Sequence, residues 1–348
     1  MATDDADLLD DLLRLAAAAG VEVEVAAHVE AARASWASAP LVLLGADLAE
    51  RLASGAPPRR RDVAVVARAD TAELWRDAVA IGADHVALLP EGERWVVDRL
   101  ADLQEGPSRD GVVLAVVGGR GGAGASTLCV GLALAAVRRG VRTLLVDADP
   151  SGGGLDLLLG GEDVPGMRWP DLAATRGRVA GTALEHALPS AHELAVLSWD
   201  RGDVMAVPRE AMASVVDAGA RGFDLTLVDL PRGVDEAARE AATRATCALL
   251  VVPAEVRATA AAARVLRSLR ATTADVRLVV REPPGCTLDA DVVADALSLP
   301  LLGLVAEEGG LSAAVDRGDP PGLRGRGAFS RSVEVLLDSL DLTAGLAA

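Results

Sequence analysis

One short segment constrains the fold of this chain more than any other. It reads Gly118-Gly-Arg-Gly-Gly-Ala-Gly-Ala-Ser-Thr127, and five of its first seven residues are glycine. A strand-like apolar run, Val112–Val117, precedes it, and a helix-like run follows as far as Arg139. Backbone N–H groups of such a loop and of the helix N-terminus attract anions, and glycine lets the backbone approach them closely. The sequence therefore predicts a phosphate-binding turn.

The glycine spacing alone leaves two kinds of phosphate ligand open. Gly119, Gly121 and Gly124 fit the G-x-G-x-x-G pattern of dinucleotide-binding domains, and Asp147 ends the next strand, where such domains bind a ribose. The same loop fits the P-loop pattern G-x-x-x-x-G-K-[ST], except that Ala125 stands at the lysine position.

Three further features favour the P-loop interpretation. The segment TLLVDADP places two carboxylates, Asp147 and Asp149, after a strand, whereas a ribose needs only one. The segment LTLVDLPRG ends a second apolar strand in Asp229, as in a Walker B strand. Ser126 and Thr127 directly follow the loop, where one hydroxyl can reach Mg²⁺ and the other a phosphate.

The rest of the chain alternates strand-like and helix-like runs, which predicts parallel α/β layers. In the first hundred residues the predicted strands are 21–26 (VEVEVA), 39–45, 62–67 and 85–89. After a polar segment the alternation of predicted strands and helices resumes, with strands at 112–117, 143–146, 194–197, 225–228, 248–252, 277–280 and 301–305. We predict two α/β domains, 1–106 and 111–348, joined by a linker at 107–110.

Composition narrows the class of protein. Of the 348 residues 51% are hydrophobic, which argues against wholesale disorder, and a net charge of −17 argues against specific nucleic-acid binding. All 34 basic residues are arginine. Three cysteines without close spacing are typical of a reducing cytoplasm, and no apolar run is long enough to span a membrane. We therefore expect a cytoplasmic protein.

The segments GGRGGAGAST, LLVDADPSGGGLDLLLG, FDLTLVDLPRG, CALLVVPAEVRATAAAARVL and LPLLGLV resemble, in the same order, the deviant-Walker ATPases of the ParA/MinD group. The resemblance covers about residues 111–318. With its front domain the chain looks most like the CpaE/TadZ type, specifically the actinobacterial septum-site-determining proteins. The resemblance implies a homodimer that binds ATP and Mg²⁺ between its subunits. It also implies protein partners in septum, pilus or secretion machinery.

The resemblance also implies roles for individual residues. Nucleotide contacts fall to the loop residues Gly119, Arg120, Gly121, Gly122, Ala123, Gly124, Ala125, Ser126 and Thr127, and to Asp147 beside the loop. Arg120 occupies the position of the signature lysine that acts in trans, and Asp149 that of the carboxylate orienting the attacking water. Ser126 and Asp229 would hold Mg²⁺, directly or through water.

Two positions depart from the family pattern. Ala125 replaces the general P-loop lysine, and losing one such group typically lowers a rate by about 10²–10³. The backbone loop and Mg²⁺ site remain, so the sequence predicts nucleotide binding with weak or absent hydrolysis. Arg281 stands where the family commonly has an adenine-reading asparagine, and arginine offers donors only.

The front domain resembles a response-regulator receiver that lacks its chemistry. The positions for the acceptor aspartate, the hydroxyl residue and the lysine correspond to Gly45, Ala67 and Leu89. Asp47 follows shortly after and is interpreted as a helix N-cap. We therefore expect a protein-docking domain without phosphotransfer.

An amphipathic helix is predicted at Phe329–Leu342. Such a helix binds membrane in MinD-like proteins, which would recruit the chain to the inner face of the membrane. Here Glu334, Asp338 and Asp341 outnumber Arg331, whereas interfacial helices are rich in basic residues. Packing on its own domain or on a dimer mate is therefore favoured.

The leading hypothesis is an ATP-binding spatial-positioning factor, gated as a dimer by nucleotide. Three alternatives stay open: an active ParA/MinD-type ATPase that tolerates Ala125, a dinucleotide-binding oxidoreductase, and a nucleotide-free scaffold.

Overall fold

The computed structural model describes residues 1–55, 57–60, 62–104, 111–173, 179, 181–202, 206–233, 235–286 and 288–340. The chain divides into two compact units, Met1–Ser108 and Arg109–Ala348. The predicted linker at 107–110 lies outside the described residues. No helix among the described residues combines the length and apolar character needed to cross a bilayer.

The first unit is a parallel three-stranded sheet with helices on both faces. Its strands lie in the order β1-β2-β3. In chain order the elements are α1 Ala6–Ala19, α2 Val29–Ser35, β1 Val42–Gly45, α3 Ala46–Ala53, β2 Val63–Ala67, α4 Ala72–Ile81, β3 His85–Leu88 and α5 Glu93–Gln104. Two apolar clusters cover the two faces of the sheet, as the alternation of helices and strands predicts.

The predicted strand at 21–26 is wrong. Its only pairing is at Ala26, which forms an isolated parallel bridge with Ala2, and Ala2 forms a second bridge with Leu44. The alternating pattern is strand-like, but a strand also needs a neighbour of matching length to pair with. Here the neighbour is a single bridged residue, so 21–25 stays without regular structure.

The Asp47 carboxylate lies just after β1, near the position of the phosphate-accepting aspartate of a receiver, and it is engaged in hydrogen bonds. Gly45 ends β1, and Asp47 lies in the first turn of α3 without capping that helix, so the N-cap interpretation is wrong. Instead Oδ1 of Asp47 accepts from the Thr3 hydroxyl at 2.7 Å, and Oδ2 accepts from the Asp4 backbone N–H at 2.6 Å. The carboxylate therefore fixes the chain start against α3.

The second unit is an eight-stranded sheet in the order β11-β10-β9-β4-β8-β5-β7-β6, parallel except for β6. In chain order the elements are β4 Val112–Gly118, α6 Ala125–Arg138, β5 Thr143–Asp147, α7 Leu155–Leu158, α8 Trp169–Ala173, α9 Gly181–Ala187, β6 Ser190–Ala191, β7 Leu194–Leu197, α10 Arg209–Gly222, β8 Leu225–Leu230, α11 Glu236–Arg244, β9 Cys247–Pro253, α12 Val256–Leu269, β10 Val276–Glu282, α13 Ala290–Leu297, β11 Leu301–Ala306, α14 Leu311–Val315 and α15 Ala328–Ser339. All seven strands predicted for this block form.

The central strand β4 is apolar along its length because both faces of the sheet are covered. Along β4, Val113, Ala115 and Val117 belong to one apolar cluster, whereas Leu114 and Val116 belong to the other. Strands buried in this way read as continuous hydrophobic runs. The buried acids of β5 and β8 lie toward the carboxyl ends of these strands, where open α/β sheets bind ligands.

The C-terminal helix α15 packs on its own domain, against α6 and β11. Phe329, Val333, Leu336 and Leu337 are buried in the cluster that covers this face of the sheet. A Cβ added to Gly131 of α6 would lie 2.7 Å from the Phe329 ring, so the two helices cross closely.

Ion pairs explain why an acidic helix docks here. Glu334 contacts Arg138 at 2.7 Å and Arg139 at 2.6 Å, and Asp338 contacts Arg139 at 2.7 Å. The apolar face that could enter a membrane is already buried. Packing on its own domain, one of the two predicted arrangements, is what the structure shows.

We expect Leu336→Ala to lower the free energy of unfolding of the second unit by about 2–5 kcal/mol, because a fully buried leucine leaves a cavity. Val335→Ala is the matched control on the same helix, and at 60% exposure it should change the value by less than about 0.5 kcal/mol. Equilibrium urea unfolding measures both. Equal effects of the two substitutions would contradict the packing of α15.

Candidate functional site

The glycine-rich loop runs from the end of β4 into α6. Its start is fixed by the Gly119 N–H, which donates to the Val251 carbonyl of β9 at 2.8 Å. Gly122 and Gly124 have φ values of +68° and +92°, in the left-handed region that favours glycine. Gly124 is the N-cap of α6, so the free N–H groups of the first helical turn face the loop.

Two glycines show that the two sides of the loop have different surroundings. A Cβ at Gly119 would lie 2.7 Å from Cβ of Ala262 in α12, so the backbone fits directly against that helix. A Cβ at Gly122 would meet no atom within 4 Å, so this part of the loop borders open space. The loop is thus packed on one side and free on the other, as a cradle for an anion requires.

The predicted acids lie beside the loop because of strand register. Asp147 of β5 and Asp229 of β8 are direct neighbours across their two strands. The Ser126 side chain, in the first turn of α6, lines the same cavity as the Asp229 carboxylate and lowers its pKa. Asp149 follows β5, and its N–H donates to Oδ1 of Asp147 at 3.2 Å. The structure therefore brings Ser126, Asp147, Asp149 and Asp229 together.

Burial shifts the protonation of both strand-end acids. It raises the pKa of Asp229 to about 7, opposed by the hydrogen bond from Ser126, while the negative charges of Asp147 and Asp149 add to the increase. It raises the pKa of Asp147 to about 6, against hydrogen bonds from the Leu155 N–H and the Ser198 hydroxyl. Two buried acids without a neighbouring lysine favour the arrival of a cation.

The donor set suits Mg²⁺ held together with phosphates better than a protein-only metal cage. Among the described residues, no three or more His, Cys, Asp or Glu side chains form a metal-holding group. Mg²⁺ typically takes one or two protein oxygens and fills its other positions with water and substrate phosphates. The Ser126–Asp229 pair beside the loop fits that pattern. On binding, the ion would supply charge neutralisation for the phosphates.

A hydrogen-bonded chain behind Asp147 was not predicted from the sequence. The Ser198 hydroxyl lies 3.0 Å from Oδ2 of Asp147 and 3.2 Å from Oδ1 of the buried Asp156. Arg201 contacts both carboxylate oxygens of Asp156 at 3.1 Å. The Leu155 N–H also donates to Asp147, at 2.9 Å. These contacts hold the Asp147 side chain in one orientation.

Three arginines surround the loop. Arg120 contacts Glu255 at 2.7 Å, so its guanidinium pairs within its own chain. Arg281 approaches Glu307 at 3.6 Å and lies close to Gly124. Arg232, in the turn after β8, lies over Gly121. The sequence motifs point to the first two of these arginines and not to Arg232.

Two cavities meet at the loop. The first, of about 510 Å³, is lined by the hydroxyl and carboxylate groups of Ser126, Thr127, Asp147, Asp149 and Asp229. The second, of about 560 Å³, is lined by Gly122, Gly124, Arg281, Val305 and Phe329 among others. Thr127, Leu158 and Val315 line both. A ligand with a polyanionic end and a larger organic end could occupy the two together.

Comparison with protein families identifies the two parts of the chain. Residues 114–321 match the CobQ/CobB/MinD/ParA nucleotide binding domain. The chain belongs to this family. Residues 2–111 match the Rv3660c-like, CheY-like N-terminal domain.

Relatives agree with both assignments. The chain is 41% identical over 321 residues to the uncharacterized protein Rv3660c of Mycobacterium tuberculosis, covering 90% of each. It is 26% identical over 218 residues to the septum site-determining protein MinD of Bacillus subtilis, covering 60% of this chain and 81% of MinD.

Solved structures show the same fold for the second unit. The MinD cell division protein of Aquifex aeolicus is 25% identical with a TM-score of 0.56, covering 66% of this chain and 96% of that chain. A ParA family ATPase of Chlorobium tepidum superposes with a TM-score of 0.61 at 15% identity, covering 68% and 100%. The predicted fold, a receiver-like domain followed by a P-loop domain with a mainly parallel sheet, is therefore confirmed.

We predict that the buried acids give the metal-free, nucleotide-free protein a distinctive pH dependence. A carboxyl whose pKa is raised in the fold binds its proton more tightly there than in the unfolded chain. The free energy of unfolding therefore falls as pH rises from about 4 to about 7, by up to about 1.4 kcal/mol per pH unit for one group.

Asp229→Asn removes this loss, so the variant should gain stability relative to the wild type at pH 8 and gain less at pH 5. Asp291→Asn, at an exposed position of α13, is the control and should follow the wild type. Urea unfolding in the presence of EDTA at both pH values measures the difference. Parallel curves for Asp229→Asn and the wild type would contradict the assignment.

Proposed function

We propose that this protein binds ATP with Mg²⁺ and acts as a spatial-positioning factor, gated as a dimer by nucleotide. The observation that carries the proposal is the placement of Ser126 against Asp229 at the start of the loop helix. This pair lies beside a glycine loop that runs into the N-terminus of α6, where no side chain caps the first N–H groups of the helix. Hydroxyl, carboxylate and loop amides are the three parts that P-loop proteins use to hold Mg²⁺ and phosphates.

Residue roles follow from the same arrangement. Loop residues 119–127 would bind the phosphates, Ser126 and Asp229 would hold Mg²⁺, and Asp147 would orient water around the ion. Asp149 would orient the attacking water in any hydrolysis. The cavity beside Arg281 would take the base.

We infer that hydrolysis is weak or absent. The lysine that neutralises charge developing on the phosphates is replaced by Ala125, whose methyl group carries no charge. Loss of such a group lowers a rate by about 10²–10³, whereas ground-state binding retains the loop amides and Mg²⁺. Phosphate release compared between the wild type and Ala125→Lys tests this inference: the added lysine should raise turnover.

The family match bears on the alternatives. A dinucleotide-binding oxidoreductase using the same loop is disfavoured, because residues 114–321 match the MinD/ParA model. An active ATPase and a nucleotide-free scaffold remain as alternatives, and the first differs from our proposal only in turnover.

A MinC:MinD complex has been solved for Aquifex aeolicus. By analogy, the first unit would recruit partners of septum, pilus or secretion machinery, as in CpaE/TadZ-like proteins.

We expect the wild type to bind a non-hydrolysable ATP analogue in a Mg²⁺-dependent manner. Ser126→Ala should lower the Mg²⁺-dependent part of the affinity by about tenfold or more and leave the Mg²⁺-free part unchanged, because only the ion loses a ligand. Isothermal titration with and without Mg²⁺ measures this, with Ser339→Ala, at an exposed position of α15 outside both cavities, as control. Tighter binding of NAD than of the analogue would contradict the proposal.

The dimer should depend on apolar residues at the rim of the site. Val256 is 72% exposed and directly follows Glu255, the partner of Arg120, and Leu157 beside the acid-lined cavity is 42% exposed. We expect Val256→Asp to abolish dimer formation with the Mg²⁺–ATP analogue, since a charge would be buried between subunits.

Val335→Asp, a similarly exposed position on α15, is the control and should dimerise as the wild type does. Light scattering after gel filtration, with and without the nucleotide analogue, gives the mass. A nucleotide-dependent dimer of Val256→Asp would place the interface elsewhere.

A further inference from the structure

The nucleotide site has an unusual balance of charge. Three carboxylates, Asp147, Asp149 and Asp229, line the cavity at the start of α6. Ala125 supplies no cation where P-loop proteins have a lysine that reaches the β- and γ-phosphates. A tri- or diphosphate entering this site would meet the loop amides and Mg²⁺ but no positive side chain from the loop helix.

Two of the three arginines around the loop already have carboxylate partners. Arg120 is engaged by Glu255, and Arg281 is near Glu307. Arg120 could reach a phosphate only by giving up or sharing its ion pair, whereas Arg281 faces Glu307 through Nε and places its Nη1 beside Gly124. Arg232 differs, since it is exposed and has neither a hydrogen bond nor an ion pair among the described residues.

The position of Arg232 is specific to one end of the loop. A Cβ placed on Gly121 would lie 3.6 Å from Cζ and from Nη2 of Arg232. Arg281 lies at the opposite end, where its Nη1 would be 3.4 Å from a Cβ on Gly124. The second cavity, which we propose takes the base, lies beside Gly124 and Arg281. A nucleotide with its base there would direct its terminal phosphate toward Gly121.

Arg232 lies in the turn that directly follows the strand of the proposed metal acid. Asp229 lies in β8, and Arg232 follows it by three residues in the turn after that strand. Mg²⁺ in P-loop proteins bridges the β- and γ-phosphates. A guanidinium on the turn next to the metal acid is therefore placed to contact the terminal phosphate.

We propose that Arg232 supplies, within its own subunit, the positive charge to the terminal phosphate that Ala125 does not provide. The inference rests on the proposed nucleotide function and adds to it a residue that distinguishes a triphosphate from a diphosphate. A guanidinium presents several N–H donors in a planar fork and remains charged at all physiological pH values, so it can replace an ammonium group from a different direction.

The test compares affinities for a Mg²⁺–ATP analogue and for Mg²⁺–ADP by isothermal titration. Arg232→Gln should lower the affinity for the triphosphate by about tenfold or more, which is the effect of losing one charge-assisted hydrogen bond. It should change the affinity for the diphosphate by less than about threefold. Arg232→Lys should retain part of the preference. Arg331→Gln, an exposed arginine on α15 with the same change of net charge, should bind both as the wild type does.

A second substitution tests the replacement itself. Ala125→Lys in the Arg232→Gln background restores the lysine of the usual loop, and it should return the triphosphate affinity to within about threefold of the wild type. Thermal unfolding of each variant checks folding, and Arg232→Gln should leave the midpoint unchanged because the side chain is exposed.

The outcomes separate the two proposals. If the wild type binds the triphosphate and Arg232→Gln binds it equally well, or loses both nucleotides in equal measure, the role of Arg232 is refuted while the nucleotide function stands. If the wild type binds neither nucleotide, both proposals fail. A normal triphosphate preference in Arg232→Gln together with no effect of Ala125→Lys would also refute the replacement.

Discussion

The adjacency of Asp147 and Asp229 is the constraint on which the second unit depends. Register between β5 and β8 places the two carboxyls side by side, and burial makes their joint ionisation unfavourable. The fold meets this cost with oriented donors: Ser126 for Asp229, and Leu155 with Ser198 for Asp147. A divalent cation would complete the same neutralisation, so the proposed metal binding would add to the stability of the fold.

Most of the second unit could be predicted from the sequence because its signals are local. Continuous apolar runs predict buried parallel strands, and the glycine loop between β4 and α6 predicts a phosphate cradle wherever those strands end. The side-by-side placement of Asp147 and Asp229 depends on the strand order, which periodicity alone does not give. The resemblance to ParA/MinD proteins implied only that both acids act near the loop. Ser198 and Asp156 lie far from the loop in sequence, and no pattern in the chain links them to Asp147.

The errors in the first unit also have physical causes. The run VEVEVA alternates as a strand does, yet pairing depends on the partner available, and only Ala2 lies beside Ala26. Asp47 has the residue type and approximate position of an N-cap, but Gly45 caps α3 and leaves the Asp47 carboxylate to distant donors. No motif predicts a role for Arg232, because its position beside Gly121 results from the fold of the chain.

The hydrogen bonds of Asp47 bear on whether phosphorylation can regulate the first unit. A receiver changes state when a free carboxylate gains and loses a phosphoryl group, with the charge change that follows. Here Gly45 stands at the position of the acceptor, and both oxygens of the nearby Asp47 carboxylate accept hydrogen bonds from Thr3 and Asp4. We expect the first unit to present protein partners with a docking surface that no phosphorylation changes. Any nucleotide-dependent switching would then occur in the second unit.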